Sequence, residues 1–377
     1  MIGNLPMGGD NPIRVQSMTT CSTMDTEGCV AQIKRIVDAG GEYVRLTTQG
    51  VAEAENLKNI KECLRRDGYT VPIIADVHFN AKVADVAALY ADKVRINPGN
   101  YVDPARKFKH LDYTDEEYAA ELKKIEDRFV PFLNICKEHK TAIRIGVNHG
   151  SLSDRIMSRY GDTPAGMVES CLEFLRICVK EKFMNVVISI KASNTTVMVE
   201  TVRLLVKEMD KEDMHFPIHL GVTEAGEGED GRLKSAVGIG ALLLDGIGDT
   251  IRVSLSEEPE NEIPVAYNIL QAARARITKT EFISCPGCGR TLYDLQGTIA
   301  KIKKAVAENL PMESQKLKIG IMGCIVNGPG EMADADFGYV GAGRGRISLY
   351  RRKECILKNI PEEEAVDRLL ELIRIDA

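Results

Sequence analysis

Short apolar runs alternate with longer amphipathic stretches over about the first 256 residues of the chain. The amphipathic stretches, such as TEGCVAQIKRIVDAG and TTVMVETVRLLVKEM, repeat apolar residues every three or four positions and therefore predict helices. The apolar runs are short and rich in Val and Ile, which predicts buried strands. The predicted strands are PIRVQSM, EYVRLTT, VPIIADV, KVRIN, TAIRIGV, NVVISIK, FPIHLGV and DTIRVSL.

The order of these elements predicts an α/β fold. Eight strand–helix repeats over roughly 250 residues are typical of a (β/α)₈ barrel, the TIM barrel. A doubly wound open sheet is the alternative. No Gly-x-Gly-x-x-Gly sequence follows an early strand, so a dinucleotide site has no support.

Four predicted strands carry an arginine between apolar residues: Arg45 in VRL, Arg95 in VRI, Arg144 in IRI and Arg252 in IRV. An unpaired arginine in a buried strand costs several kcal/mol. Any one of them could form an ion pair with a buried carboxylate. Four arginines at comparable places near the carboxyl ends of strands instead predict that their side chains converge on one barrel mouth. Barrel enzymes have their active sites at that mouth.

Other polar residues follow the same strand ends and add to the predicted mouth. Guanidinium groups match phosphate oxygens bidentately, so we expect a small polyanionic substrate, with phosphate or diphosphate as the first choice. Glu224 is a carboxylate among cations and suits proton transfer, although it could instead pair with one of the arginines. The other polar candidates are Asp76, His78, Asn97, Asn148, Ser151, Ser189, Lys191, His219, Thr223 and Ser254.

The pattern changes after the eighth predicted strand. Residues 1–264 form the predicted barrel, and residues 265–280 read as a linker helix. Residues 281–377 combine a strand ending in Cys-x-x-Cys, an amphipathic helix, a second strand, a hairpin and a closing helix that begins at Pro361. These elements predict a compact α+β domain.

Composition and charge narrow the function classes. The chain has 377 residues, of which 44% are hydrophobic and 28% charged, as in ordinary globular proteins. Its net charge of −6 argues against a nucleic-acid or anionic-membrane partner. No apolar run approaches the length of a membrane span, and the N-terminus resembles no secretory or transit signal. We therefore expect a cytoplasmic protein.

Three of the ten cysteines form a pattern, Cys285 and Cys288 in CPGCG and Cys324 in GCIVNGPGE. The other seven read as small hydrophobic residues in a reducing compartment. The breaker run Asn327–Gly330 is expected to turn Glu331 back towards Cys324. A redox pair, a zinc site and an iron–sulfur cluster remain alternatives, and three thiols with one exchangeable oxygen ligand favour the cluster.

With these residues assembled, the chain resembles the 4-hydroxy-3-methylbut-2-enyl diphosphate synthases, the iron–sulfur enzymes of the non-mevalonate isoprenoid pathway. The resemblance extends over nearly the whole chain. Its motifs are NPIRVQSMTT, VRLTTQG, ADVHF, VRINPGN, RIGVNHGSL, KASN, LGVTEAGEGEDGRLKSA, GDTIRVSL, CPGCGRTLYDLQ and GCIVNGPGE, of which the last two together are highly specific.

The resemblance implies a substrate-binding barrel followed by a cluster domain akin to those of sulfite and nitrite reductases. The implied reaction opens 2-C-methyl-D-erythritol 2,4-cyclodiphosphate reductively, with electrons from ferredoxin or flavodoxin and Glu224 as the acid–base residue. The implied ligands of a [4Fe–4S] cluster are Cys285, Cys288, Cys324 and Glu331. The predicted substrate-binding residues are Arg45, Asp76, His78, Arg95, Arg144, Asn148, Lys191, Arg252 and Ser254.

One departure from the family pattern concerns the domain count. The segments TEAGEGEDGR and YTDEEYAAELKKIEDRF resemble the long, three-domain form, yet fewer than thirty residues separate Ser256 from Cys285. The middle domain is therefore missing, near Ala266–Tyr267, by natural loss or by engineering. In the short form a partner subunit supplies the cluster domain, so we expect a homodimer.

A rival hypothesis from another class fits the same cationic mouth. It is a non-catalytic barrel protein that binds an anionic metabolite and carries a zinc-stabilised tail. The two hypotheses differ at Glu331, because a binding protein needs no exchangeable metal ligand. Metal content after anaerobic purification distinguishes them.

Overall fold

The chain folds into two compact units, Met1–Arg276 and Ile277–Ala377. The structure is a computed structural model, and it describes residues 1–104, 106–311, 316–326, 328–332 and 334–376. The segment predicted as a linker helix overlaps α10 (Glu262–Ala272), which belongs to the first unit. None of the helices in these ranges combines the length and apolar character that a membrane crossing requires.

The first unit alternates strands and helices as the sequence pattern predicts. Its strands are β1 (Arg14–Met18), β2 (Tyr43–Thr48), β3 (Ile73–Val77), β4 (Lys93–Ile96), β5 (Ala142–Asn148), β6 (Val186–Lys191), β7 (His219–Leu220) and β8 (Thr250–Ile251). Its helices before α10 are α1 (Thr26–Asp38), α2 (Val51–Arg66), α3 (Ala81–Tyr90), α4 (Pro98–Tyr101), α5 (Asp115–His139), α6 (Asp154–Tyr160), α7 (Pro164–Lys180), α8 (Thr195–Lys211) and α9 (Gly228–Leu244).

The eight strands are parallel and close into a barrel. Their order is β6-β5-β4-β3-β2-β1-β8-β7, and a parallel bridge between Ile188 and Ile218 joins the two ends. The apolar residues that point outward from the strands pack against the helices in one continuous core. This arrangement confirms the predicted (β/α)₈ barrel and brings the carboxyl ends of all eight strands to one mouth.

Local sequence signals fix where the helices around the barrel begin. In α5, Thr114 and Glu117 form a reciprocal capping box, and Lys140 ends the helix with a left-handed φ of 57°. Asn80 caps α3 and Asn194 caps α8 through side-chain oxygens that accept backbone N–H bonds. Asn80 and Asn194 each lie three residues beyond the carboxyl end of a strand, β3 and β6, so these two caps fix short polar loops at the barrel mouth.

The second unit is a small α+β domain, as predicted. Its five-stranded sheet has the order β13-β12-β11-β10-β9, with β9, β10 and β11 parallel and the remaining pairs antiparallel. Its elements are β9 (Glu281–Ser284), α11 (Leu295–Asn309), β10 (Lys318–Met322), α12 (Gly328–Glu331), β11 (Phe337–Gly343), β12 (Arg346–Arg351), β13 (Glu354–Pro361) and α13 (Glu362–Asp376).

Candidate active site

A polar pocket of about 90 Å³ lies at the carboxyl ends of the barrel strands. All nine residues that the sequence predicted for substrate binding line it. Ser189 and Thr223, two of the other polar candidates, line it as well. Alternate residues of a strand face the same side, so inward-facing arginines from β2, β4 and β5, together with Arg252 directly after β8, converge on this space. The pocket residues are Arg45, Asp76, His78, Arg95, Arg144, Asn148, Ser189, Lys191, Thr223, Arg252 and Ser254.

Asp76 is the counter-ion for two of the arginines. Its Oδ2 lies 3.4 Å from Arg45 Nε, and its Oδ1 accepts a 3.0 Å hydrogen bond from Arg95 Nη1. The Arg95 guanidinium also contacts His78 Nε2 and donates to the Gly146 carbonyl at 2.8 Å. Although burial raises the pKa of Asp76, the two guanidinium groups hold it well below its usual range.

Glu262 at the start of α10 is the counter-ion for Arg252. Its two carboxylate oxygens accept hydrogen bonds of 3.2 and 3.0 Å from Arg252, and it also accepts one from Ser17. Met18 Sδ lies between two cations and accepts hydrogen bonds from Arg45 Nη2 at 3.0 Å and Arg252 Nη1 at 3.6 Å. The sequence did not predict either residue, because Glu262 ends the acidic stretch EEPENE ahead of the predicted linker helix and Met18 reads as an apolar strand residue.

Two cations in the pocket have no counter-ion of their own within the described chain. Arg144 is 1% exposed, and its Nε and Nη1 atoms make no hydrogen bond. Lys191 is also buried, and its ammonium forms no ion pair among the described residues. Burial first, and then the neighbouring cations, lower the pKa of both groups well below the usual range. An anion between them would relieve this cost.

Two glycines make room for the cationic side chains of the pocket. A side chain on Gly146 would place its Cβ 2.4 Å from Arg95 Nε. A side chain on Gly221 would place its Cβ 2.8 Å from Lys191 Nζ. Five cationic side chains line the pocket. Their carboxylate partners are Asp76 and Glu262. With all five cations protonated, the positive charges exceed the negative charges by three.

Asp76→Asn should destabilise the protein by about 3–5 kcal/mol, because it leaves Arg45 and Arg95 without their shared carboxylate. The pKa of Asp76 is lower in the folded state than its unfolded value of about 3.9. Its stabilisation is therefore complete at neutral pH and is lost as the pH falls through the folded-state pKa. Thermal melts of the ligand-free variant at pH 7 and below about pH 4 test both statements.

Asp245→Asn is the matched control for that substitution. Asp245 pairs with Arg203 on the surface, and both side chains are at least one-third exposed. Exposed pairs contribute at most about 1 kcal/mol. Equal shifts in melting temperature for the two variants would contradict the assigned role of Asp76.

Glu224 stands apart from the pocket residues. It lies in the loop after β7, is exposed, and has a left-handed φ of 47°. A positive φ is uncommon for a residue other than glycine and marks a position fixed by its surroundings. Buried Ala225 follows it, and the Gly226 carbonyl accepts a 3.0 Å hydrogen bond from Ser256 N. The structure therefore brings Glu224 to the strand-end loops but not to the wall of the pocket.

In the second unit, Cys285, Cys288 and Cys324 line one cavity of about 160 Å³. Cys285 follows β9, and Cys324 follows β10 two residues after that strand ends. Because β9 and β10 are parallel neighbours, both thiols reach the same edge of the sheet. Cys288 lies in the loop between β9 and α11, where Thr291 Oγ1 accepts a 3.0 Å hydrogen bond from its backbone N–H.

The donor set of this cavity fits an iron–sulfur cluster. Gly323 N donates a hydrogen bond to Cys285 Sγ at 3.2 Å, which is the kind of contact that stabilises a thiolate ligand. A backbone hydrogen bond from Arg290, together with its charge, lowers the pKa of the exposed Cys288 thiol. A lower pKa favours the thiolate, which is the form that binds metals.

Glu331, the predicted fourth ligand, is exposed at the end of α12 and is not among the residues that line the cysteine cavity. Asn327, at the start of the predicted turn, lies outside the described residues. Within the described ranges, no three His, Cys, Asp or Glu side chains are grouped closely enough to form a ready-made site for a metal ion. The assignment of Glu331 as a ligand stays a prediction.

Comparisons with known proteins cover both units. A family model described as the GcpE TIM-barrel domain matches residues 1–267, and the GcpE protein C-terminal domain matches residues 281–375. A relative from Bacteroides fragilis, named 4-hydroxy-3-methylbut-2-en-1-yl diphosphate synthase (flavodoxin), is 48% identical. That alignment covers 99% of this chain and 94% of the relative.

A relative from Prochlorococcus marinus subsp. pastoris, named 4-hydroxy-3-methylbut-2-en-1-yl diphosphate synthase (ferredoxin), is 50% identical over 381 residues. That alignment covers 100% of this chain and 92% of the relative. The Bacteroides alignment extends over 595 positions, so this relative contains a long stretch with no counterpart in the 377 residues here. The match over both domains shows that the chain belongs to the GcpE family.

Proposed function

We propose that the chain converts 2-C-methyl-D-erythritol 2,4-cyclodiphosphate into 4-hydroxy-3-methylbut-2-enyl diphosphate in the cytoplasm. The observation that carries this proposal is the barrel pocket, where Arg144 and Lys191 are buried and no described residue is a counter-ion of their own. A diphosphate supplies the missing negative charge. The names of the relatives supply the identity of the product.

The pocket also suits the charge that develops during ring opening. Each phosphate of the cyclic substrate has one ester bond to carbon, one anhydride bond to the other phosphate and one acidic oxygen, whereas the opened product has a terminal phosphate with a second acidic oxygen. The leaving diphosphate therefore gains negative charge, and fixed cations that surround it stabilise the transition state more than the ground state. Asp76 and Glu262 hold Arg95 and Arg252 in place, so little reorganisation is needed.

The residues that would hold a [4Fe–4S] cluster are Cys285, Cys288 and Cys324, with Glu331 as the exchangeable ligand. Such a cluster, when bound, supplies single electrons and a Lewis-acidic iron. Ferredoxin or flavodoxin is the proposed electron donor, since the relatives are named for one or the other. The chain's own contribution to the chemistry is to bind the diphosphate and to deliver a proton.

Glu224 is the proposed proton donor to the departing hydroxyl group. Glu224→Gln should lower turnover by about 100-fold or more, because an amide cannot transfer this proton. Iron content and affinity for the cyclodiphosphate should stay unchanged. The measurements are anaerobic steady-state kinetics, iron analysis and titration calorimetry.

Glu227→Gln is the control, since Glu227 is exposed in the same loop and makes no side-chain hydrogen bond at the start of α9. It should keep wild-type turnover. Equal activity in Glu224→Gln and the wild type would remove Glu224 from the mechanism.

A homodimer is proposed on the family resemblance and the missing middle domain. The expected result is twice the chain mass of 41.6 kDa by light scattering of the active protein under anaerobic conditions. A monomeric mass at full activity would contradict it.

Anaerobic purification followed by incubation with the cyclodiphosphate and a reducing agent tests the activity itself. Iron and sulfide in about equal amounts, brown colour and formation of the diphosphate product support the proposal. A colourless protein with one zinc ion per chain and tight cyclodiphosphate binding without turnover would instead favour the binding-protein hypothesis.

A further inference from the structure

Two cysteines outside the cluster cavity lie in sulfur–sulfur contact. Cys21 is in the loop that follows β1, and Cys29 is in the first turn of α1. Their Sγ atoms are 3.2 Å apart, and both are free thiols. A disulfide bond is about 2.0 Å long, so closure needs an approach of only about 1 Å.

Neighbouring hydrogen bonds hold the two thiols in this position. Thr20 N donates to Gln32 Oε1 at 2.8 Å, and Gln32 Nε2 donates back to Thr20 Oγ1 at 2.8 Å. These bonds fix the residue before Cys21 to the helix that carries Cys29. Cys29 also donates a hydrogen bond from its thiol to the Ser22 carbonyl. The contact is therefore built into the loop.

The two thiols differ in access to a reagent. Cys21 is partly exposed, whereas Cys29 is fully buried. Burial first, and then the contact with Cys21, raise the pKa of the Cys29 thiol. A dissolved disulfide therefore reaches Cys21 first, and Cys29 reacts afterwards from within the protein.

We propose that Cys21 and Cys29 are a thiol modification site that closes to an intramolecular disulfide by exchange with a small disulfide such as oxidised glutathione. The Cys21 thiolate attacks oxidised glutathione, forms a mixed disulfide and releases one glutathione. Cys29 then attacks the Cys21 sulfur and releases the second glutathione. Two protein thiols lose two protons and two electrons, and one glutathione disulfide becomes two thiols.

The site adjoins the substrate pocket without being part of it. Thr19 N donates a 2.9 Å hydrogen bond to the carbonyl of Arg45, which joins this loop to a strand that lines the pocket. Because closure requires so small a movement, the strand is expected to stay in place. The oxidised protein should therefore bind the cyclodiphosphate within about twofold of the reduced protein.

The experiment uses the full chain with its cluster, incubated anaerobically with oxidised glutathione and then alkylated. No Lys or Arg separates the two cysteines, so a protease that cleaves after glutamate is used, since it cuts at Glu27 between them. The expected product is a pair of peptides joined by a disulfide, with a mass lower by two hydrogens than the reduced pair. Iron content, measured in parallel, monitors the cluster.

Three variants test the order of events. Cys29→Ser should retain one glutathione on residue 21, whereas Cys21→Ser should form neither the adduct nor the cross-link. Cys63→Ser, which removes a partly buried cysteine of the same unit, should form the disulfide as the wild type does. Wild-type protein that remains reduced, or that keeps a stable glutathione adduct at Cys21, would overturn the proposal.

Discussion

Replacing Arg144 by methionine should raise the stability of the ligand-free protein and at the same time remove most of its affinity for the cyclodiphosphate. Arg144 is fully buried, its Nε and Nη1 atoms have no hydrogen-bond partner among the described residues, and three other arginines face it across the pocket. Replacing even a buried ion pair by apolar side chains of similar volume is often neutral or stabilising by about 1–4 kcal/mol, and a buried charge without a counter-ion has no ion-pair attraction to lose. We expect a higher melting temperature in calorimetry.

The loss of affinity has the same physical origin. A guanidinium with free donors in a water-poor pocket can form two charge-assisted hydrogen bonds to a phosphate, each contributing about 1.5–3 kcal/mol. Arg144→Met should therefore raise the dissociation constant of the cyclodiphosphate by at least about 100-fold. Titration calorimetry on the anaerobic protein measures this change.

Arg95→Met is the control that separates binding from folding. Arg95 is equally buried, but its guanidinium pairs with Asp76 and donates to the Gly146 carbonyl. Its removal should weaken substrate binding too, but it should destabilise the ligand-free protein by about 3–5 kcal/mol. If Arg144→Met is destabilised as strongly as Arg95→Met, then Arg144 has a structural role and the anion-site assignment is wrong.

The placement of the strand arginines was predictable from the sequence because two simple regularities act together. Side chains alternate along a strand, and parallel strands in a barrel end at one mouth. Arg45, Arg95 and Arg144 each occupy the third position of their strand, and all three side chains line the same pocket. The pocket could thus be predicted without knowing any contact between helices.

The counter-ions were not predictable in the same way. Glu262 is ten residues beyond Arg252, at the start of a helix, and its contact with the pocket depends on how α10 packs against β1. Periodicity predicts the helix but not this packing. The strand β13 was also missed, because half of its residues are exposed, none is fully buried, and charged residues interrupt the apolar pattern expected of a buried strand.

The position of Glu224 shows a further limit. The sequence places it two residues after the predicted strand FPIHLGV. Because Thr223 lines the pocket, the alternation of an extended backbone would point Glu224 away from it. The strand β7 ends at Leu220, and the left-handed φ at Glu224 redirects the chain. Such a backbone conformation at a non-glycine residue has no simple sequence signal, so the role of Glu224 depends on the kinetic test.

Cys288→Ser should abolish turnover while leaving the barrel pocket intact. A serine hydroxyl stays protonated at neutral pH and is a poor ligand for iron, so the cluster should be lost. All residues that line the diphosphate pocket belong to the unit Met1–Arg276. We therefore expect iron and sulfide near zero, activity below detection and unchanged affinity for the cyclodiphosphate.

Cys355→Ser is the matched control, because Cys355 is an exposed free cysteine of the same unit that does not line the cavity. It should keep the full iron content and activity. If Cys288→Ser retains its iron, the three-cysteine assignment is wrong.

If Cys288→Ser loses both iron and cyclodiphosphate affinity, the two units do not bind their ligands independently. The combination of lost iron and retained affinity is the result that assigns electron supply to one unit and diphosphate binding to the other.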